Sequence, residues 1–179
     1  MTDAELAARL AQSTGEMLLA IRNASLLRGP SLGIAGDKIA NHFILDVLRA
    51  QRPDDGILSE ESIDTTERLT QERVWIIDPL DGTREYCEGR ADWAVHVALS
   101  IKGQPSVGAV ALPAQGIVMR SDVPPVMPEA APGPIRLLVS RTRPPVEASR
   151  VAEALAAELV PMGSAGAKTM AVLLGQCVI

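Results

Sequence analysis

The stretch VWIIDPLDGTREY, residues 74–86, constrains this chain more than any other. An apolar run, Val74, Trp75, Ile76 and Ile77, reads as a buried strand. It runs straight into Asp78, Pro79, Leu80, Asp81, Gly82 and Thr83. Pro79 and Gly82 are sufficient for a turn. A turn has no need of two carboxylates and a hydroxyl as well. Two readings follow from the residues: a turn that is merely acidic, or a site for a cation and a phosphate.

The second reading has a definite chemistry. Carboxylates on either side of a proline turn can face one point, and hard cations such as magnesium take oxygen ligands in octahedral geometry at about 2.0–2.1 Å. The Leu80 carbonyl lies between the acids and can add another oxygen. Gly82 allows close approach of the backbone to a ligand. A helix starting at Thr83 would offer free N–H groups to a phosphate, and the Thr83 hydroxyl would orient a water. Together these parts suit phosphate ester hydrolysis assisted by metal ions about 3.5–4 Å apart. Upstream, LSEES (residues 58–62) is a second apolar step ending in paired acids, Glu60 and Glu61. Neighbouring strands would set Glu60 beside Asp78. Taken alone, a Glu-Glu pair is an ordinary solvated surface feature, and D-P-x-D-G is a good turn sequence.

The rest of the chain supplies a scaffold of α+β class. Thr2 and Glu5 form a capping-box pattern ahead of Leu6, Leu10, Met17, Leu18 and Ile21, which predicts a helix over 3–23. LRGPSLGIAGD interrupts, and a second helix is expected over 37–51. Strands are expected at 74–77, 93–100, 107–112 and 116–119, the last two as a hairpin turning at 113–115. Five prolines between 123 and 134 predict a linker. Beyond it lie a strand over 136–140, a helix over 146–159, and GSAGAKTMAVLLG as a Gly-led loop opening a helix. The expected division is 1–122, an α+β domain carrying the acidic site; 123–134, the linker; and 135–179, a second α/β unit. Helices, then strands, then a strand–helix tail point to layers rather than a regular βαβ alternation.

Composition excludes little but sets the environment. With 47% apolar and 2% aromatic residues, the core must be built from Ala, Leu, Val and Ile. A net charge of −5 argues against a nucleic-acid surface, though not against a small anion held locally. Cys87 and Cys177 match neither a zinc spacing nor a disulfide framework, so a reducing cytoplasm is expected. MTDAELAARL has no signal-peptide character, and no apolar run is long enough for a membrane span.

LSEES and WIIDPLDGTREY at this spacing resemble the inositol monophosphatase superfamily of lithium-sensitive, magnesium-dependent phosphatases. The fuller stretch VWIIDPLDGTREYCEGRADWAVHVALS, with AGDKIAN, VSRTRPP and GSAGAK, is most similar to its actinobacterial 3′(2′),5′-bisphosphate nucleotidase branch, of CysQ type, in sulfur assimilation. The resemblance covers nearly the whole chain. It implies a layered α/β/α/β/α sugar-phosphatase fold and two or three Mg²⁺ ions. The implied reaction removes the 3′-phosphate of adenosine 3′,5′-bisphosphate, with inositol phosphates or fructose 1,6-bisphosphate as alternatives. It allows a homodimer and implies neither nucleic acid nor membrane as a partner.

Residue by residue, the resemblance makes Glu60, Asp78 and the Leu80 carbonyl ligands of a first magnesium. Asp78 and Asp81 share a second. Glu60 and Thr83 activate the water, and Gly82 and Thr83 bind the departing phosphate, with Leu80 and Asp81 also facing substrate. Asp37 matches the acid of a T-x-A-D element that supports the water network, although this chain reads IAGD there; the alternative is an acid placed at a helix N-terminus by the dipole. Ser164 and Lys168 fall in a substrate-facing G-S-x-x-K-like segment, where Lys168 would meet a second phosphate, the alternative being an exposed helix lysine. Arg141 is a weaker candidate of the same kind. His96 is expected to be structural, and Cys87 to have no catalytic part. The family's later W-D-x-A motif, source of a further ligand, has no match here. The second domain is therefore expected to be truncated, the second magnesium weakly held and turnover by residues 1–179 low. A non-catalytic metal- and phosphate-binding module is the competing expectation.

Overall fold

Helix α1 (Asp3–Asn23) starts on the expected capping box: the Thr2 hydroxyl accepts from the Glu5 N–H at 3.2 Å, and the Glu5 carboxylate accepts from the Thr2 N–H at 2.9 Å. The computed structural model describes residues 1–63, 66–126, 128 and 133–177. Leu6, Leu10 and Leu18 recur on one face of α1 and are buried. Helix α2 (Gly29–Gln51) begins eight residues earlier than its sequence pattern predicts. Pro30 sits in its first turn, where the missing N–H costs nothing. Gly33 and Gly36, which read as breakers, are contact points instead. A Cβ on Gly33 would stand 2.8 Å from the Thr83 methyl, and one on Gly36 would stand 3.1 Å from the Tyr86 ring.

Five strands form one sheet in the order β1-β2-β3-β4-β5: β1 (Gly56–Ser59), β2 (Arg73–Asp81), β3 (Ala94–Ile101), β4 (Gln104–Leu112) and β5 (Ile117–Arg120). β1 and β2 are parallel, and the remaining pairs are antiparallel. One face buries Trp75, Ile77, Val95, Val97 and Leu99 against α1 and α2. At one end of the sheet Arg73 pairs with Asp3 at 2.9 Å and Asp55 at 2.8 Å, tying the starts of α1 and β1 to β2. The acids of interest lie at the other end.

After β5 the chain forms a βαβ unit: β6 (Arg136–Ser140), α4 (Val146–Leu155) and β7 (Glu158–Met162), with β6 and β7 parallel. The helix expected to reach residue 159 stops at Leu155, because Ala156 takes a left-handed conformation with φ 49°. The residues after it form β7, whose Pro161 is tolerated in a two-stranded sheet where each strand is an edge. Helix α5 (Ala165–Leu173) then returns to the opposite face of the large sheet, where Ala167 and Met170 pack with Ala94, Leu112 and Met119. The result is the layered α+β arrangement expected. Of the linker, residues 127 and 129–132 lie outside the described residues. No helix among the described residues is long and apolar enough to cross a membrane.

Candidate metal and phosphate site

β2 does not stop at Ile77; it continues through Pro79 to Asp81. Asp78 stands opposite His96 and Asp81 opposite Ala94, so three steps on β2 match two on β3. That extra residue is a β-bulge. In a regular strand, residues three apart point to opposite faces. The bulge turns Asp81 back onto the face that carries Asp78 and His96. Ligand atoms of Asp78, Asp81 and His96 accordingly lie within 4.8 Å of one another. Pro79 suits the irregularity, since it has no N–H to lose from the ladder.

Gly82 follows in the left-handed region at φ 89° and starts the short helix α3 (Thr83–Cys87). A Cβ here would stand 3.0 Å from Ser164 and would be strained by the backbone as well. The buried face of α3 is fixed by aromatic packing: the Tyr86 hydroxyl donates to the Leu18 carbonyl at 2.8 Å, and Tyr86 meets Trp93 edge-on at 5.1 Å. Arg22 lies over both rings. Thr83 is thereby held with its hydroxyl 3.1 Å from the Leu80 carbonyl and 3.4 Å from Asp37 Oδ1. The sequence left open a helix N-terminal role for Asp37, but Gly29 begins α2 two turns earlier. Asp37 instead faces the site from inside the helix.

Glu60 follows the end of β1, with its N–H donating to the Ile77 carbonyl at 3.2 Å, immediately beside Asp78. Its side chain is exposed. The Glu60 and Asp78 steps are neighbours because β1 and β2 are parallel and in register, Ser59 against Ile77. Crowded acids repel ionisation. Burial, then the charges of Asp81 and Glu60, push Asp78 up to about 7. Burial, then Glu61, push Asp37 up to about 6 against the opposing bond from Thr83. Asp81 behaves in the opposite way. Burial works against its charge, but hydrogen bonds from His96, Ser164 and the Gly166 N–H outweigh it and hold the carboxyl down at about 2.

Ser164 caps α5. Its hydroxyl accepts from the Ala167 N–H at 2.9 Å and donates to Asp81 Oδ2 at 2.6 Å. The Gly166 N–H also donates to Oδ2, at 2.6 Å, and the Ala165 N–H to Oδ1, at 3.2 Å. Asp81 is thus an acceptor for the N-terminus of α5 as well as a neighbour of Asp78. Lys168 turns back on its own helix start, donating to the Gly163 carbonyl at 3.2 Å and the Ser164 carbonyl at 2.8 Å. Arg141 is occupied as a tie to α3, with Glu85 and Glu88 each at 2.8 Å. Beside Gly82 and Thr83 a cavity of about 560 Å³ is lined by Arg84, Glu85, Thr142 and Arg143.

The structure gathers Asp37, Glu60, Asp78, Leu80, Asp81, Gly82, Thr83 and Ser164 at one end of the large sheet, with Lys168 one turn further along α5. Three residues that sequence reasoning did not place at the site stand beside it. His96 reads as one polar residue in an alternating strand; its place opposite Asp78 requires the β2–β3 register. Thr142 and Arg143 reach the site only through the β6 end that Arg141 ties to α3. Hard oxygen donors, two of them carboxylates on one face of a rigid strand, fit a divalent cation.

A family model for the inositol monophosphatase family matches residues 34–122. The 3′-phosphoadenosine 5′-phosphate phosphatase of Mycobacterium leprae (strain TN) is 49% identical, over 98% of this chain and 70% of that protein. The protein of the same name from Mycobacterium tuberculosis (strain CDC 1551 / Oshkosh) is 51% identical, over 90% of this chain and 64% of that protein. Against these relatives the chain thus spans about two thirds of their length. Among solved structures, the Thermotoga maritima IMPase superposes with a TM-score of 0.78 at 21% identity, over 99% of this chain and 74% of the other. CysQ from Bacteroides thetaiotaomicron does so with a TM-score of 0.76 at 20% identity, over 97% and 77%. At such identities the superpositions speak for the layered fold alone, whereas the 49% match carries kinship along almost the entire chain. The chain belongs to the inositol monophosphatase family.

Proposed function

We propose that this protein is a Mg²⁺-dependent phosphomonoesterase that removes the 3′-phosphate of adenosine 3′,5′-bisphosphate. The observation that carries the reading is the β2 bulge, which sets Asp78 and Asp81 on one face beside Glu60, Leu80 and Thr83. The names of the Mycobacterium relatives support the nucleotide substrate.

Asp78, Asp81, Glu60 and the Leu80 carbonyl would hold the magnesium ions. Bound there, magnesium supplies charge for the phosphoryl oxygens and acidifies the attacking water. Thr83 passes a hydrogen bond to the Leu80 carbonyl and lies within reach of Asp37, so its hydroxyl is oriented to accept from a water on the phosphate side. Glu60 is exposed at the mouth of the site and takes the proton from that water. Gly82 and the first N–H groups of α3 face the departing phosphate. Arg143 gives the adjoining cavity a cation suited to a second anionic group. Lys168 keeps a third ammonium donor beyond its two carbonyl bonds, enough to meet such a group.

The test is phosphate release from adenosine 3′,5′-bisphosphate, inositol 1-phosphate and fructose 1,6-bisphosphate at equal Mg²⁺. The reading expects the nucleotide to be preferred and release to depend on Mg²⁺. Preference for either of the others reassigns the substrate. Saturable binding of Mg²⁺ and nucleotide with release no faster than that of Asp78→Asn would make the chain a binding module instead.

A further inference from the structure

We propose that His96 is a positioning residue for the cation site, acting through Asp81 and not as a ligand itself. The inference rests on the reading of Asp81 as a cation ligand. Three donors converge on Asp81 Oδ2: the Ser164 hydroxyl at 2.6 Å, the Gly166 N–H at 2.6 Å and His96 Nε2 at 3.2 Å. An amide N–H can only donate, so Oδ2 is an acceptor, and the nitrogen facing it must carry a proton. His96 Nε2 therefore has no lone pair to offer a metal. Among the described residues Oδ1 accepts from the Ala165 N–H, at 3.2 Å, and it is the oxygen that would turn to a cation shared with Asp78.

His96 differs from the other donors in where it stands. Ser164, Ala165 and Gly166 belong to the start of α5, whereas His96 belongs to β3, hydrogen-bonded in register with β2 itself. It fixes the Asp81 carboxylate to the sheet that also holds Asp78. Gly166 packs against its ring at Cε1 and Nε2, where a Cβ would push the imidazole away. Partners that orient a ligating carboxylate commonly contribute ~10–100-fold to metal affinity.

The experiment is Mn²⁺ binding, followed by loss of the free-ion electron paramagnetic resonance signal, for the wild type, His96→Leu and His96→Gln. The side chain is 28% exposed, so leucine is accommodated there. The expected result is ~10-fold or greater weakening in His96→Leu, with His96→Gln, which restores an N–H donor, within about threefold of wild type. Equal weakening in both variants, or affinity in His96→Leu within about twofold of wild type, overturns the proposal. Absence of Mn²⁺ binding by the wild type would instead refute the cation site itself. A second measurement needs no variant. The chain has two histidines, His42 and His96, so ¹⁵N imidazole spectra assign readily. His96 should keep its Nε2–H tautomer when Mg²⁺ is added; loss of that proton on adding Mg²⁺ would make it a ligand and sink the inference.

Discussion

The two ends of the β2 bulge carry the same side chain in opposite states. Asp78 faces other acids and is pushed up to about 7; Asp81 faces donors and is held at about 2. Both are about equally removed from water, so burial does not separate them. Their partners do: Asp81 and Glu60 repel charge on Asp78, with His96 only a lesser offset, whereas His96, Ser164 and the start of α5 donate hydrogen bonds to Asp81 directly. One acid is thus pre-paired within the protein, while for the other burial and neighbouring acids outweigh the opposing pull of His96 and the Leu80 N–H. Repulsion among carboxylates is what a bound dication relieves, so the Asp78 end is where binding energy should be concentrated.

The largest effect should come from removing that end. Asp78→Asn is expected to weaken Mg²⁺ binding by more than the ~10–100-fold typical of losing an outer partner. Isothermal calorimetry at pH 8 measures it, and affinity within a few-fold of wild type would dissolve the contrast between the two acids. Next is the pH dependence of the metal-free protein. Asp78 and Asp37 have folded values raised to about 7 and about 6, so they bind protons more tightly when folded. Their favourable contribution is complete below the ordinary carboxylate range and is lost as pH rises through about 6 and 7. Asp81, held at about 2, contributes in the opposite sense: its stabilisation is present above the ordinary range and is lost only as pH falls toward 2. Thermal melts without metal should therefore fall from pH 5 to pH 7.5, and Mg²⁺ should restore most of the difference at the upper end. A metal-free melting temperature that rises over this interval would mean that the acids are not crowded.

Smaller effects test the frame around the bulge. Gly33→Ala would place a methyl 2.8 Å from the Thr83 methyl and 3.0 Å from Cys87 Sγ. Overpacking of this kind costs about 1–3 kcal/mol. Because the displaced residue is Thr83, phosphate release should fall by more than the loss of stability explains, as urea unfolding and a rate assay on the same sample would reveal. Ser164→Ala removes both the α5 cap and a donor to Asp81. It should destabilise by about 1–2 kcal/mol, the range for a cap or a hydrogen bond to a charged group, with a smaller loss of cation affinity than Asp78→Asn shows.

The ingredients of this contrast were unequally legible in the sequence. The apolar lead-in to Asp78, the acids themselves, the capping box of α1 and the hairpin of β4 and β5 follow from local pattern. The start of α2 is not legible because Gly33 and Gly36 look like breakers when alone; their reason is contact with Thr83 and Tyr86, some fifty residues away. β7 is hidden because Pro161 argues against a strand, and its pairing with β6 explains it. His96 reads as one polar residue of an alternating strand because its neighbours in space, Asp81 and Gly166, come from β2 and α5. Short-range periodicity carries no trace of such register.

The central claim is that burial and the neighbouring acids raise Asp78 to about 7, so that below neutrality a cation binding there takes the place of a proton. Proton release on Mg²⁺ binding tests it most directly, measured by calorimetry at pH 6 in buffers of different ionisation enthalpy. With Asp78 at about 7, the wild type should release about one proton as Mg²⁺ binds, and Asp78→Asn should release distinctly less under the same conditions. Mg²⁺ uptake with no proton released, or the same release from both proteins, would contradict the account.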